Sequence, residues 1–99
     1  MSLDFLLMVK VTFFSKSKRK APPNISAGRY SPHLVVKGDV EYLGVSFIEL
    51  QSSEFDVETE AIVLPVYKGV SYEKLKVGTY FDIMEGPNVV GEGIVIDIG

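Results

Sequence analysis

Thr79-Tyr80-Phe81-Asp82-Ile83-Met84-Glu85, then Gly86-Pro87-Asn88, then Val89-Val90-Gly91-Glu92-Gly93-Ile94-Val95-Ile96-Asp97-Ile98 is the strongest fold signal in the chain, two β runs joined by a turn. Phe81 and Ile83 fall on one side of an alternating run, which predicts a strand over 79–85 with those two side chains inward. Gly86-Pro87-Asn88 is turn chemistry between two β runs. In the run that follows, Ile94, Ile96 and Ile98 alternate with Val95 and Asp97, so 89–98 reads as a second strand. Gly91 and Gly93 inside it mark a bend of the kind a barrel strand makes. Gly91-Glu92-Gly93 is not a phosphate-cradling loop, because no helix N-terminus follows to hold the anion.

The same period recurs earlier in the chain. Leu7 to Phe14 alternates Val9, Val11 and Phe13 with Met8, Lys10 and Thr12. Residues 15–27 are polar, basic and broken by Pro22-Pro23, and are expected to be a mobile loop. Tyr30 to Lys37 is a second strand, and Gly38-Asp39 a turn. Val40 to Leu50 is a third, with Val45, Phe47 and Leu43 on one face; Gly44 within it suggests a bulge or a close backbone approach. Gln51 to Asp56 is a polar loop. Thr59 to Tyr67 is a fourth strand, in which Ile62, Leu64 and Val66 alternate with Ala61, Val63 and Pro65, and Pro65 argues for an edge or a bulge at its end. Lys68 to Gly78 reads as a loop with room for one helical turn. Six short strands with glycine bends and no amphipathic helix predict an all-β small barrel or sandwich.

Length and composition agree with one such domain over residues 1–99. The chain has 99 residues and 46% hydrophobic content, enough for one core. Residues 1–6 are expected to be partly an appended or disordered segment. Met1 to Val9 is apolar but lacks a basic leader, so it makes a poor signal peptide. No apolar run approaches the roughly 20 residues of a membrane-spanning helix, and no membrane association is expected. There are no cysteines and one histidine, which excludes disulfides, thiolate catalysis and Cys- or His-rich metal sites, and fits a reducing, cytoplasmic setting.

Net charge is −3, but unevenly spread. Residues 1–37 carry seven basic groups against Asp4, and residues 38–99 carry three against twelve acids. A local basic face on an acidic domain follows. Lys16, Lys18, Arg19 and Lys20 form the one basic cluster, on a loop, with Arg29 and Tyr30 nearby. Phosphate contacts there would be salt-sensitive and sequence-blind, and the tyrosine ring could stack on a base; a solvated loop is the plainer reading. The acidic run Glu49, Glu54, Asp56, Glu58 and Glu60 lacks the calcium-loop pattern and reads as a solvated loop. His33 has no evident orienting partner or nucleophile, so no catalytic residue, cofactor or metal is assigned. The five tyrosines are interface anchors where exposed and barrel packing where not.

Several segments resemble the third, C-terminal domain of bacterial elongation factor Tu. They are Gly28-Arg29-Tyr30-Ser31-Pro32-His33-Leu34, Gly38-Asp39-Val40-Glu41-Tyr42-Leu43-Gly44-Val45, and, most closely, Phe81–Gly86 with Val89–Val95. Order and spacing agree from about Val9 to Ile98. The resemblance implies a six-stranded antiparallel Greek-key barrel without catalysis, which in that family packs on a neighbouring barrel and touches tRNA and a protein partner. It puts Glu85 and Gly86 at a tRNA-backbone position, His33 at a polar contact, and residues 16–20 in a basic tRNA-facing segment. The chain departs from the family in lacking a nucleotide-hydrolysing domain and a second barrel, in carrying Glu41 where the family has threonine, and in the order Arg29-Tyr30-Ser31-Pro32. The expectation is a protein-interaction or self-associating barrel, translation-related, with accessory tRNA or RNA binding through residues 16–20 as the second reading. No small-molecule substrate is evident.

Overall fold

The computed structural model describes residues 5–99. Six strands, β1 (Leu7–Phe13), β2 (His33–Val36), β3 (Leu43–Leu50), β4 (Thr59–Pro65), β5 (Tyr80–Glu85) and β6 (Asn88–Ile98), form a closed barrel in the order β1-β4-β3-β2-β5-β6. All pairings are antiparallel. β2, β3 and β4 run as a meander while β1 lies beside β4, so the long 14–32 connection makes the Greek-key crossing. Closure leaves no free sheet edge.

The interior is filled as alternation predicts. Val9, Val11 and Phe13, Leu43, Val45 and Phe47, and Phe81 and Ile83 are all buried. For β4 and β6, apolar on both faces, register decides: Val9 lies opposite Ala61 on one side and Val95 on the other, which turns Ala61, Val63 and Val95 inward. Ile62, Leu64, Ile94 and Ile96 therefore line the outer wall.

Gly91 and Gly93 lie where β6 passes close against β1. A Cβ on Gly93 would sit 2.5 Å from the Lys10 carbonyl oxygen and 2.8 Å from the Phe81 ring. The β5–β6 turn uses Gly86 at φ 58, a positive angle suited to a tight hairpin. Asn88 belongs to β6 rather than to the turn.

Some boundaries differ. The third strand starts at Leu43, not Val40, because Asp39 Oδ1 accepts from the amides of Val40 and Glu41 and holds a turn there. The second starts at His33; Tyr30 makes only an isolated bridge to Phe47. The β3 bulge lies between Phe47 and Glu49, not at Gly44. Gly44 instead lies beneath the Tyr67 ring, where an added Cβ would approach the ring to 2.2 Å. Pro65 pairs with Val45 at the end of β4. Val66 donates to the Gly44 carbonyl, so Pro65 turns its nitrogen toward β1, whose pairing with β4 stops at Val63. Its missing N–H therefore removes no ladder bond. Residues 68–78 are turns without a helix; the short helical turn is a 3-10 segment at Ile25–Ala27. Phe5 and Leu6 belong to the barrel: Leu6 and Gly99 exchange backbone hydrogen bonds, and Phe5 packs edge-on against Tyr72. The expectation for residues 1–4 lies outside the described residues.

Candidate functional site

The residues singled out from sequence divide into three groups. The first is a latch at one barrel end. Segment 14–32 crosses that end as a strap, fastened at several points. Phe14 donates to the Val90 carbonyl at 2.9 Å, and Phe47 to the Tyr30 carbonyl at 2.9 Å. Ser15 donates to Asp56 through its amide at 3.1 Å and its hydroxyl at 2.5 Å, which lowers the Asp56 carboxyl below its usual value. The Ser53 hydroxyl donates to the Pro23 carbonyl, and Asn24 caps the 3-10 turn.

At the centre of the strap, Glu85 Oε2 accepts from Arg19 Nη1 at 2.5 Å and from the Tyr30 hydroxyl at 2.6 Å. The guanidinium lies over the Tyr30 ring, 5.3 Å from its centroid, a favourable cation–π placement. Phe13 and Phe47 pack against the same ring at centroid distances of 6.0 and 5.3 Å. Arg19, Tyr30 and Glu85 thus satisfy one another in a half-buried site. The Glu85 carboxylate, read from sequence as a partner contact, is spent on the chain itself.

Burial first, then the hydrogen bond to Glu85 and its charge, push the Tyr30 phenol well above its ordinary 10.0, with Arg19 opposing. The sign follows. Above pH 10 the unfolded chain ionises Tyr30 while the folded one keeps the proton, so unfolding releases a proton and rising pH favours it. The stabilisation is complete below pH 10 and is lost as pH climbs toward the folded value. Urea unfolding between about pH 8 and about pH 11 should show this loss, and Tyr30→Phe should make the fall shallower. Equal slopes for the two proteins would contradict the burial of this hydroxyl.

The second group is the exposed part of the strap. Lys16, Lys18, Lys20 and Arg29 face solvent, and among the described residues no ion pair engages them. Gly86 is exposed in the hairpin turn beside Glu85. Elsewhere two lysines are committed: Lys37 bridges Asp82 and Glu92 at 2.6 and 2.9 Å, and Lys74 bridges Asp39 and Glu41 at 2.7 and 3.0 Å. The Lys74 contact, with the Val40 and Glu41 amides, draws the Asp39 carboxyl down to about 2.

The third group surrounds His33, which is separate from the latch. Its ring stacks on Tyr67 at 6.4 Å and tilts against Tyr42 at 5.6 Å. Tyr42 is 45% and Tyr67 51% exposed. The result is a row of three rings across the outer wall at the start of β3. Gly44 makes it possible, since any side chain there would displace Tyr67. Tyr72, by contrast, is buried, and its hydroxyl donates to the Gly44 carbonyl at 2.6 Å. Along the chain the five tyrosines look alike; the glycine between Tyr42-Leu43 and Val45 is the local signal that separates these roles.

Among the described residues no group of three His, Cys, Asp or Glu side chains could hold a metal ion. Among the described residues no helix is long and apolar enough to cross a membrane. Comparison of the chain with protein-family models, with curated proteins and with solved structures finds no match in any of the three, so the resemblance to the third domain of elongation factor Tu stands on its short motifs alone.

Proposed function

We propose that the chain is a non-catalytic protein-interaction barrel whose contact surface is the row Tyr42–His33–Tyr67. The observation that carries this reading is the exposure of two tyrosine rings already packed against a histidine. Tyrosine supplies large contact area at low entropic cost, and rings held in place before binding leave less to be ordered on binding. The motifs shared with elongation factor Tu direct the search for the partner toward translation, and the lack of cysteines fits a cytoplasmic one.

The test is association with partners captured by the wild-type domain, compared with Tyr42→Ser/Tyr67→Ser. Loss of about 2 kcal/mol or more in affinity is expected for the double variant, as for a central interface anchor. Gly44→Ala should act in the same direction by displacing Tyr67, while costing no more than about 1 kcal/mol of stability, because the ring it meets is the end of a flexible side chain. Partners that bind all three proteins equally would sink the reading.

A second reading, accessory RNA binding, is favoured by one observation: the four unpaired cations Lys16, Lys18, Lys20 and Arg29 on the strap. Arg19 and Tyr30 do not strengthen it, being held by Glu85. Titration of labelled tRNA at low and moderate salt discriminates. Four phosphate contacts imply a log–log salt slope of about −3, abolished by reversing the lysine charges.

A further inference from the structure

The outer wall formed by β6, β1, β4 and β3 carries a second surface that shares no residue with the aromatic row. The ladders set its rows. Met8 lies opposite Ile62 on β4, Ile62 opposite Glu49 on β3, and Met8 opposite Asp97 on β6, with Ile96 beside it at a bulge. The next row sets Ile94 beside Lys10 and Lys10 beside Glu60. Four strands about 4.8 Å apart make this wall about 14 Å wide. Met8, Ile62 and Ile96 floor a recess of about 150 Å³ that Glu49 and Glu60 overhang. A shallower hollow continues from it past Glu60 to Glu58 and Lys10.

An apolar floor is thus enclosed by carboxylates: Asp97 on one side, Glu49 on the other, Glu58 and Glu60 at one end. All four are exposed, and among the described residues none is in an ion pair. Lys10 is the one cation among them. We infer that this groove docks a cationic amphipathic polypeptide segment of a partner protein, its aliphatic side chains on Met8, Ile62 and Ile96 and its lysines or arginines on the surrounding carboxylates. Charge complementarity singles out that occupant. A nucleic acid or an anionic membrane would meet four like charges. A second copy docked face to face would set Glu49, Glu60 and Asp97 near their own duplicates, and like charges in apposition oppose association.

The probe is a fluorescent 15-residue peptide alternating leucine and lysine, with leucine–glutamine and leucine–glutamate peptides of equal length beside it. Only the lysine peptide is expected to bind. Glu49→Gln/Glu60→Gln should weaken it about five- to tenfold, as loss of two exposed ion pairs predicts, and Ile62→Ser about tenfold, as loss of a buried aliphatic contact predicts. Glu73→Gln, outside the groove, should leave it unchanged. Amide chemical shifts of the unaltered domain give a readout independent of variant folding, and should move at Met8, Ile62 and Ile96. Absent binding, equal binding of the glutamine peptide, shifts spread over every acidic loop, or equal weakening by Glu73→Gln would overturn the assignment. Protection of the groove by self-association of the free domain would overturn it in favour of a second copy. Because the row is untouched by these variants, failure here and failure of the aromatic-row reading are separate results.

Discussion

Gly93→Ala is expected to destabilise the barrel by about 2–3 kcal/mol, the upper part of the range for overpacking a close-packed interior. The added methyl would meet the Lys10 carbonyl oxygen at 2.5 Å, and Phe81 Cζ and Val11 Cγ1 at 2.8 Å each. None of these can yield cheaply. The carbonyl belongs to the neighbouring strand, and Phe81 and Val11 are fully buried. For a domain of this size the midpoint of thermal unfolding should fall by about 10–20 °C. Gly91→Ala should behave alike, since its methyl would lie 2.5 Å from the Thr12 carbonyl oxygen. Gly44→Ala is the internal control, because its clash is with an exposed ring. If Gly93→Ala and Gly44→Ala melt together, the tight approach of β6 to β1 is wrong.

Glu85→Ala is expected to cost about 2 kcal/mol and to free the strap. Removing the carboxylate leaves a half-buried tyrosine hydroxyl and a half-buried guanidinium without their shared acceptor. An unsatisfied polar group costs about 1–3 kcal/mol, and breaking a buried pair from one side more than a surface one. The measurement is limited trypsin digestion, because Lys16, Lys18, Arg19 and Lys20 lie on the strap and cleavage there reports local opening. Cleavage should accelerate well before global unfolding. Glu85→Gln keeps an oxygen for the Tyr30 hydroxyl and should fall between the two. A strap equally resistant in wild type and Glu85→Ala would show that the latch does not hold it.

The latch also shows how far the site was legible. Arg19, Tyr30 and Glu85 each stand out in the chain, one in a basic cluster, one as an aromatic beside it, one in a turn motif. Sequence assigned all three to an outside partner. The closed barrel assigns them to each other, across separations of 66 and 55 residues. His33 stood out for being alone, yet its neighbours are Tyr42 and Tyr67, one in the β2–β3 turn and one past the end of β4. The groove was harder to see, because Ile62, Leu64, Ile94 and Ile96 look like core when their strands are read singly.

Local features are legible in the chain: the strand character of all six β runs, the alternating faces of β1, β3 and β5, the tight turn at Gly86-Pro87, and the polar character of segment 15–27. These follow from alternation and turn chemistry, which depend on near neighbours in the chain. Which face of β4 and β6 turns inward, which cations are free, and which aromatics reach the surface depend instead on how the barrel closes. Both faces of those two strands are apolar, so alternation leaves the choice open. It is made by inter-strand register and by the limited space inside a closed six-stranded barrel, which admits Ala61, Val63 and a glycine at 93 but leaves the larger isoleucines outside.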